Sequence, residues 1–338
     1  MLLSLRAQKS FHERTAVNSM HFLLVGPGAL GCLLTAYLSR GLAGTDVRLS
    51  LLDHNPERAD FINRQGILCD QPDRQHKVPI TAVASPKHIS PVDVIILCVK
   101  SYDIPACLRF CQPLLLEGTL LIFMQNGISH LDCQHLAGKA FCAFGTTTEG
   151  ATLVSRGHVR HAGKGSTHLG FLTSPGVHAE QLLEKTTELF ASGGLTISIT
   201  NDILNRLWAK LFVNVGINAL TAILGCSNGD LLNIPGITLR MKEAVSEAET
   251  IARKLGIEIA ADPYAATVDV CKKTANNFSS MLQDIRNNRR TEIDAINGAV
   301  MQHGLELNIA TPENLLLVKQ VKEIEDNFPN RQATRQDI

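Results

Sequence analysis

The chain has 338 residues, 45% of them hydrophobic, so it can build two or three domains with buried cores. Its 32 Lys and Arg balance 32 Asp and Glu, which excludes the broad positive field that attracts nucleic acid or an anionic membrane. We therefore expect a small-molecule partner, no nucleic acid and no membrane.

Nine cysteines are scattered through the chain without the spacing of a zinc site, which predicts reduced thiols, a cytoplasmic location and no metal centre. Cys107 and Cys111 lie one helical turn apart, but a metal would need further ligands nearby, so packing is the preferred interpretation. Residues 1–19 show neither strand character nor a secretory cleavage site, and we expect a disordered extension that precedes the fold. A targeting role for this extension is the weaker alternative.

From residue 20 to about residue 200, apolar runs alternate with helix-like segments, which predicts a parallel sheet covered on both faces. The expected strands are 21–25, 47–52, 92–99 and 119–124. A helix from Ala29 to Arg40 should end at Gly41 in a left-handed cap. Past Gly145, short alternating runs separated by glycine predict an antiparallel extension of the same sheet, finishing near Ile199.

After Asn201 the strand signals end and amphipathic stretches begin. These predicted helical stretches are 202–224, 237–255, 264–288 and 291–304. The predicted fold class is α/β, with an N-terminal Rossmann-type doubly wound sheet (20–200) and a C-terminal all-helical domain (201–325). A polar tail (326–338) follows, and its segment NRQATRQDI is expected to fray.

A glycine-rich loop joins the first expected strand to the first expected helix, the context in which a glycine fingerprint indicates a dinucleotide site. Gly26 permits a tight turn, Gly28 lets the backbone approach a pyrophosphate, and Gly31 lets helix and strand pack closely. A turn without a ligand is the alternative. The loop consists of Gly26, Pro27, Gly28, Ala29, Leu30 and Gly31.

The end of the second strand bears on the choice of cofactor. Asp53 stands where an acid usually hydrogen-bonds the ribose 2′-OH, which favours NADH. His54 and Arg58 follow closely and could instead meet the 2′-phosphate of NADPH. Alternatively, Asp53 caps the helix that starts near Pro56, a role that Asn55 could also fill.

Two further side chains are expected at the same edge of the sheet. Lys100 ends the third expected strand and Asn126 follows the fourth. Ligands of open α/β sheets bind at the carboxyl ends of the strands, so both positions coincide with the dinucleotide site. A solvated lysine and a turn-forming Asn-Gly are equally good explanations from spacing alone.

The helix expected at 202–224 carries a polar stripe. Lys210, Asn214 and Asn218 recur every four residues in apolar surroundings, which places them on one face. A partly desolvated lysine beside a dinucleotide can donate a proton to a carbonyl oxygen, because burial lowers its pKa from ~10.4. The alternative is a lysine that reaches solvent above two packing amides.

A polar segment further along offers side chains that no local pattern ranks. If it were one straight helix, Ser280 and Glu292 would lie about 120° apart, so a shared site requires a break near residues 287–288. A solvated charged face is the alternative. The candidates are Ser280, Asp284, Arg286, Glu292 and Asp294.

Six blocks stand out between residue 20 and about residue 325: GPGALG, CVKSYD, MQNGI, GTTTEGA, LWAKLFVNVGINALTAILGCSNGDL and SSMLQDIRNNRRTEIDAING. Together they give the chain a resemblance to the ketopantoate reductase (2-dehydropantoate 2-reductase) family. It implies an NADPH-dependent reduction of 2-dehydropantoate to (R)-pantoate on the pantothenate route to coenzyme A. Where the family commonly has an arginine for the 2′-phosphate, this chain has LLDHNPER.

The resemblance also implies residue roles. Lys210 matches the proton donor, and Glu292 matches a catalytic glutamate near the nicotinamide ribose, where it contacts the cofactor. The implied substrate-binding residues are Lys210, Asn214, Asn218, Asn228 and Ser280. Cofactor-contacting positions, besides the 26–31 loop, fall on Lys100, Asn126 and Ala151.

Three functions follow from these patterns. The first is reduction of 2-dehydropantoate, with hydride from NADPH and a proton from Lys210. The second is an NADH-linked reductase of another branched 2-keto acid, which Asp53 motivates. The third is a non-catalytic NAD(P)-binding redox sensor, which the joint presence of Lys210, Ser280 and Glu292 disfavours. A homodimer is compatible with the sequence, which does not fix the oligomeric state.

Overall fold

A computed structural model describes residues 20–71 and 74–329. The extension expected at 1–19 and the tail from residue 330 onward lie outside the described residues. The tail region begins later than expected, because the last helix runs to Asp326 and Phe328 is buried.

The N-terminal part is built on strands that are mostly apolar and buried. In chain order the strands of the described residues are β1 (His21–Val25), β2 (Arg48–Leu52), β3 (Ile67–Gln71), β4 (Arg74–Val78), β5 (Thr81–Val83), β6 (Val94–Leu97), β7 (Leu120–Phe123), β8 (Phe141–Thr147), β9 (Gly150–Ser155), β10 (His158–Gly163), β11 (Thr167–Gly170) and β12 (Ile197–Ile199).

The main sheet of the described residues has eight strands in the order β12-β11-β8-β7-β6-β1-β2-β5. All strands from β8 to β5 are parallel, and every residue of β1, β6 and β7 is buried. Near-continuous apolar runs are typical of parallel strands covered on both faces. The predicted α/β fold class is thereby confirmed.

The antiparallel extension differs from the expectation. β11 does pair antiparallel with β8 in the main sheet, but β9 and β10 lie in a separate four-stranded sheet, in the order β4-β3-β10-β9. The hairpin of β3 and β4, which the sequence did not predict, provides their partner: β10 pairs parallel with β3.

The helices of the described residues surround the main sheet and fill the C-terminal part. They are α1 (Ala29–Gly41), α2 (Pro56–Gln65), α3 (Ile104–Cys111), α4 (Val177–Ser192), α5 (Ile203–Leu224), α6 (Ile237–Lys254), α7 (Pro263–Lys273), α8 (Ser280–Arg286), α9 (Asn297–Leu307) and α10 (Pro312–Asp326).

The expected left-handed cap at Gly41 is wrong. Gly41 is the last residue of α1 and is not among the glycines with positive φ. A Cβ at this position would lie 1.8 Å from the Leu189 carbonyl oxygen of α4. The glycine is therefore needed for close helix packing rather than for a turn.

Helix α5 is the core of the helical part. Within the described residues it alone is long and apolar enough to cross a membrane by length and composition, and 67% of its most apolar stretch is buried inside the protein. Its neighbours α6, α7, α8 and α10 pack around it. Here it is the central helix of a packed domain.

The two last predicted helices are broken. Residues 274–279 interrupt 264–288, and Asn288 adopts a left-handed conformation (φ 49°) just after α8. This break lies where a shared site for Ser280 and Glu292 requires one. Residues 293–295 form a short 3-10 turn, so α9 starts at Asn297 rather than near residue 291.

We propose residue 200 as the domain boundary. The main sheet ends with Ile199, and α5 begins at Ile203.

Candidate active site

The loop between β1 and α1 has the shape that a dinucleotide requires. Gly26 has a φ of 94°, and a Cβ there would lie 2.9 Å from Val99 Cγ1. At Gly31 a Cβ would lie 2.0 Å from the Gly26 carbonyl oxygen, whereas at Gly28 it would meet nothing within 4 Å. A side chain at Gly26 or Gly31 would therefore clash with the protein, whereas one at Gly28 would enter open space at the N-terminus of α1. A pyrophosphate fits into that space. Of the loop's other members, Pro27 lies in the turn, and Ala29 and Leu30 open α1.

At the end of β2, Asp53 is engaged by a neighbouring arginine. Both carboxylate oxygens accept hydrogen bonds from Arg58, through Nε and through Nη2 (2.6 Å), and the Asp53 side chain is fully buried. The Arg58 side chain is 36% exposed. Asn55, not Asp53, caps α2 by accepting from the Arg58 backbone amide, so the capping explanation for Asp53 is wrong.

Four of the side chains singled out in the sequence meet where the two halves of the chain face each other. Asn126 donates through Nδ2 to Glu292 Oε2 (3.1 Å) and accepts through Oδ1 from Lys210 Nζ (2.8 Å). Lys100 Nζ lies 3.6 Å from Glu292 Oε2. This group, Lys100, Asn126, Lys210 and Glu292, is called the seam cluster below.

Local structure explains why these side chains converge. Asn126 follows β7 in a tight turn, in which Gly127 has a φ of 78° and a Cβ would lie 2.0 Å from the Ala295 carbonyl oxygen. The backbone of Ile128 also donates to that carbonyl (3.3 Å). The turn after β7 is thus seated on the 3-10 turn that follows Glu292.

Lys210 has an unusual electrostatic environment. Burial lowers the pKa of its ammonium from 10.5 to about 8, and the Glu292 carboxylate opposes that shift. A lysine with this pKa exists in both protonation states near neutral pH, which suits general acid catalysis. Stabilisation of a developing oxyanion by the ammonium is the second contribution that such a group can make.

Sequence reasoning missed two participants, Ser101 and His130, and left a third, Asp284, as one unranked candidate. Ser101 donates its backbone N–H to Glu292 Oε1 (3.1 Å), and Asp284 accepts from Lys100 Nζ (2.6 Å). His130 is fully buried against the stacked pair Phe123 and Phe144, and neither ring nitrogen has a hydrogen-bond partner within the described residues. Burial lowers the pKa of His130 to about 4. A backbone donor leaves no sequence signal, and Asp284 stood unranked among its polar neighbours.

The other expected substrate residues lie along α5 and just beyond it. Asn218 is buried and Asn214 half-buried, and neither side chain is hydrogen-bonded to a described residue. Asn228 is buried, with Nδ2 bonded to Thr274 Oγ1 (2.9 Å) and Oδ1 left without a partner among the described residues. Three amide groups therefore retain hydrogen-bonding capacity for a ligand.

Ser280 and Ala151 occupy the start of α8 and the second sheet. Ser280 is exposed, directly after the cap residue Ser279, whose hydroxyl bonds Thr221 of α5 (2.7 Å). Ala151 lies on β9, next to Thr152, whose hydroxyl reaches the Gln283 side chain (3.5 Å). Neither residue joins the seam cluster directly, but β9 and α8 contact each other across the two halves of the chain through Thr152 and Gln283.

Two family descriptions match the chain in order. The one described as "Ketopantoate reductase PanE/ApbA" covers residues 22–174, and "Ketopantoate reductase PanE/ApbA C terminal" covers 202–325. Relatives named 2-dehydropantoate 2-reductase include one from Pyrococcus horikoshii, 32% identical over 90% of this chain and 97% of the relative. Another, from Vibrio cholerae, is 31% identical over 91% of this chain and 99% of the relative.

Solved structures agree along almost the whole chain. A PanE/ApbA family ketopantoate reductase from Ralstonia eutropha JMP134 has a TM-score of 0.82 at 27% identity, over 93% of this chain and 100% of that one. D-Mandelate dehydrogenase in a ternary complex with NADH and anilino(oxo)acetate also has a TM-score of 0.82, at 26% identity, over 91% of this chain and 99% of that one. With both halves matched in order and relatives above 30% identity along their full length, the chain belongs to the ketopantoate reductase family of oxidoreductases.

Proposed function

We propose that this protein reduces 2-dehydropantoate to (R)-pantoate with NADPH. The observation that carries the proposal is the hydrogen-bonded row Lys210–Asn126–Glu292 at the edge of the sheet that holds the glycine loop. Relatives at about 30% identity bear the name of this activity. The third function, a non-catalytic NAD(P)-binding redox sensor, is disfavoured, because relatives in this family are named as reductases.

Lys210 is proposed as the proton donor. Its lowered pKa keeps a transferable proton near neutral pH, and Asn126 fixes the ammonium by accepting one of its hydrogens. Glu292 orients Asn126 and adds negative charge that favours the protonated amine. Lys210 and Glu292 therefore act together as the catalytic pair.

Substrate binding is assigned to the polar groups that follow Lys210. Asn214 and Asn218 continue its stripe along α5, and their side-chain amides have no hydrogen-bond partner among the described residues. The side-chain oxygen Oδ1 of Asn228 can accept from a substrate hydroxyl. Ser280, at the exposed start of α8, is available to a carboxylate. A small hydroxylated 2-keto acid offers groups that complement each of these.

The dinucleotide is assigned to the glycine loop, Asp53, Lys100, Asn126, Ala151 and Glu292. When bound, the reduced nicotinamide supplies the hydride. The loop provides backbone N–H groups and open space at Gly28 for the pyrophosphate. Arg58, held by Asp53 with part of its side chain exposed, is suited to a 2′-phosphate, which supports NADPH over NADH.

Steady-state oxidation of NADPH and of NADH with 2-dehydropantoate is the experiment that tests this function. We expect turnover with 2-dehydropantoate and a higher kcat/KM with NADPH. Absence of oxidation with either cofactor would overturn the assignment. Light scattering of the same preparation tests the homodimer, which stays a prediction.

A second candidate is an NADH-linked reductase of another 2-keto acid. It is favoured by the similarity to D-mandelate dehydrogenase, whose structure contains NADH and anilino(oxo)acetate. A panel of branched and aromatic 2-keto acids, assayed with both cofactors, separates the two. A larger kcat/KM for an aromatic keto acid with NADH would favour the second candidate.

Replacing Arg58 should shift the cofactor preference from NADPH toward NADH. In Arg58→Gln, the buried Asp53 carboxylate loses its cationic partner and keeps, among the described residues, only the hydrogen bond from the Asn55 backbone N–H (3.1 Å), so it can accept from a ribose 2′-OH and repels a 2′-phosphate. Loss of hydrogen bonds to a charged group is worth about 1.5–3 kcal/mol, so kcat/KM for NADPH relative to NADH should fall about 10- to 100-fold. Arg64→Gln, at an exposed ion pair on the same helix, is the control and should leave the ratio unchanged. An unchanged ratio in Arg58→Gln as well would contradict the assignment.

A further inference from the structure

Asp284 is a buried carboxylate that the proposed chemistry does not use. It lies on α8, only 7% exposed, and its Oδ2 accepts from Lys100 Nζ at 2.6 Å. Lys100 comes from the sheet half of the chain, 184 residues earlier. The bond therefore crosses between the two halves, beside the seam cluster.

We propose that Asp284 is a positioning residue, which holds Lys100 against the helical half and balances the charge of the seam cluster so that Lys210 retains its proton at neutral pH. The inference rests on the proposed role of Lys210 as proton donor. Its side chain is hydrogen-bonded to Lys100 and to neither Lys210 nor Asn126, so it acts through Lys100 and Glu292.

An unbroken row of polar contacts connects Asp284 to Lys210. From Asp284 Oδ2 it is 2.6 Å to Lys100 Nζ, and from there 3.6 Å to Glu292 Oε2. The Asn126 amide then bridges Glu292 to Lys210, with bonds of 3.1 and 2.8 Å. Four charged side chains share this row, and their formal charges cancel.

Removing the negative charge of Asp284 unbalances the row in one direction. Two ammonium groups would then face only the Glu292 carboxylate, and the cluster would carry a net positive charge. Lys100, freed from Asp284, would also draw closer to Glu292 and weaken its attraction for Lys210. Both effects disfavour the protonated form of Lys210, so they have the same sign.

Two other titratable side chains near the row are uncharged. Burial lowers the pKa of His130 to about 4 and raises that of Tyr102 to about 12, so both are neutral at pH 7. Burial lowers the pKa of Lys100, but Glu292 and Asp284 outweigh it and raise the pKa overall. The charged groups that act on Asp284, Lys100 or their neighbours from adjoining elements are Asp103, Arg289 and Arg290.

Asp284→Asn keeps the shape of the side chain and removes its charge. The matched control is Asp294→Asn, which removes one carboxylate from the same segment at a 44% exposed position, where it pairs with Arg290 and Lys322. Asp284→Glu restores the charge and should restore the wild-type behaviour. All variants are prepared as the full chain and tested with NADPH bound.

The primary readout is the pKa of the Lys210 amine. It is measured by NMR of ¹³Cε-labelled lysine, and the Lys210 signal is assigned by its absence in Lys210→Arg. At an effective dielectric constant near 20, loss of one negative charge from the row should lower the Lys210 pKa by roughly 1 unit. Asp294→Asn should give a much smaller change, because its carboxylate is screened by solvent. An Asp284→Asn titration equal to that of the control would overturn the inference.

The pH profile of kcat separates this inference from the proposed function. If the Lys210 pKa falls in Asp284→Asn and the alkaline limb of the kcat profile shifts with it, the role of Asp284 and the role of Lys210 as proton donor are both supported. If the Lys210 pKa falls and the kcat profile does not follow, Asp284 has the assigned effect but Lys210 is not the proton donor.

Should Asp284→Asn fail to fold, Lys100→Met tests the same row with the opposite sign, because loss of the cation should raise the Lys210 pKa. A lowered or unchanged value there would equally overturn the inference.

Discussion

Lys210→Met is expected to lower kcat by about 10²- to 10⁴-fold, the contribution typical of a positioned general acid. The variant removes the ammonium but retains an apolar chain of similar length, so α5 should stay packed. Since the loss falls on the transition state, the dissociation constant of NADPH, measured by fluorescence quenching, should change little.

The pH dependence of the wild-type enzyme should follow from the same group. The protonated amine is the active form, and its pKa is lowered to about 8 by burial. The kcat value should therefore be highest below this pKa and fall as the pH rises through about 8.

The control for Lys210→Met is Lys242→Met, at an exposed lysine of α6, which should retain wild-type kcat. Wild-type turnover in Lys210→Met would remove this lysine from the mechanism.

Two glycine substitutions in the loop after β1 should have different consequences. In Gly31→Ala, the new methyl would lie 2.0 Å from the Gly26 carbonyl oxygen and 3.1 Å from Leu24 Cδ2. Such overpacking costs about 1–3 kcal/mol or more in the free energy of unfolding, because backbone has to move. Urea denaturation should show the loss, and NADPH binding should fail with it.

Gly28→Ala should leave the folded protein intact and still weaken NADPH binding. The residue has φ −75° and ψ −170°, which alanine adopts readily, and no atom lies within 4 Å of the added Cβ. The methyl would instead occupy the space in which the pyrophosphate approaches the helix N-terminus. We expect an unchanged urea midpoint and a dissociation constant raised by about 10- to 100-fold, equivalent to lost hydrogen bonds to a charged group. An unaffected dissociation constant would place the dinucleotide elsewhere.

Local periodicity explains which parts of the fold were predictable. β1, β6 and β7 are buried on both faces and therefore read as continuous apolar runs. By contrast, β4 has the sequence RQHKV and is largely exposed, which gives no strand signal. Because β4 and its partner β3 were not anticipated, β9 and β10 were assigned to the wrong sheet.

The candidate site was predictable where a residue breaks a local rule. Lys210 in an apolar helix and the glycines of the 26–31 loop stand out from their surroundings. Asp284 does not, because it lies in a polar segment and its partner Lys100 is 184 residues away. The engagement of Asp53 by Arg58 was likewise hidden, since it depends on how Asn55 directs the chain into α2.

The charges of the Lys210–Asp284 row come from both halves of the chain, which limits the chimeras that can be made with related enzymes. The sheet half supplies one cation, Lys100, whereas the helical half supplies two carboxylates and one ammonium, so each half alone is unbalanced. A chimera joined near residue 200 would inherit a compensated site only if its new partner carries the matching charge. The two halves thus have to be exchanged together, and they also share one hydrophobic core, which runs from Leu23 and Phe123 of the sheet to Trp208 of α5.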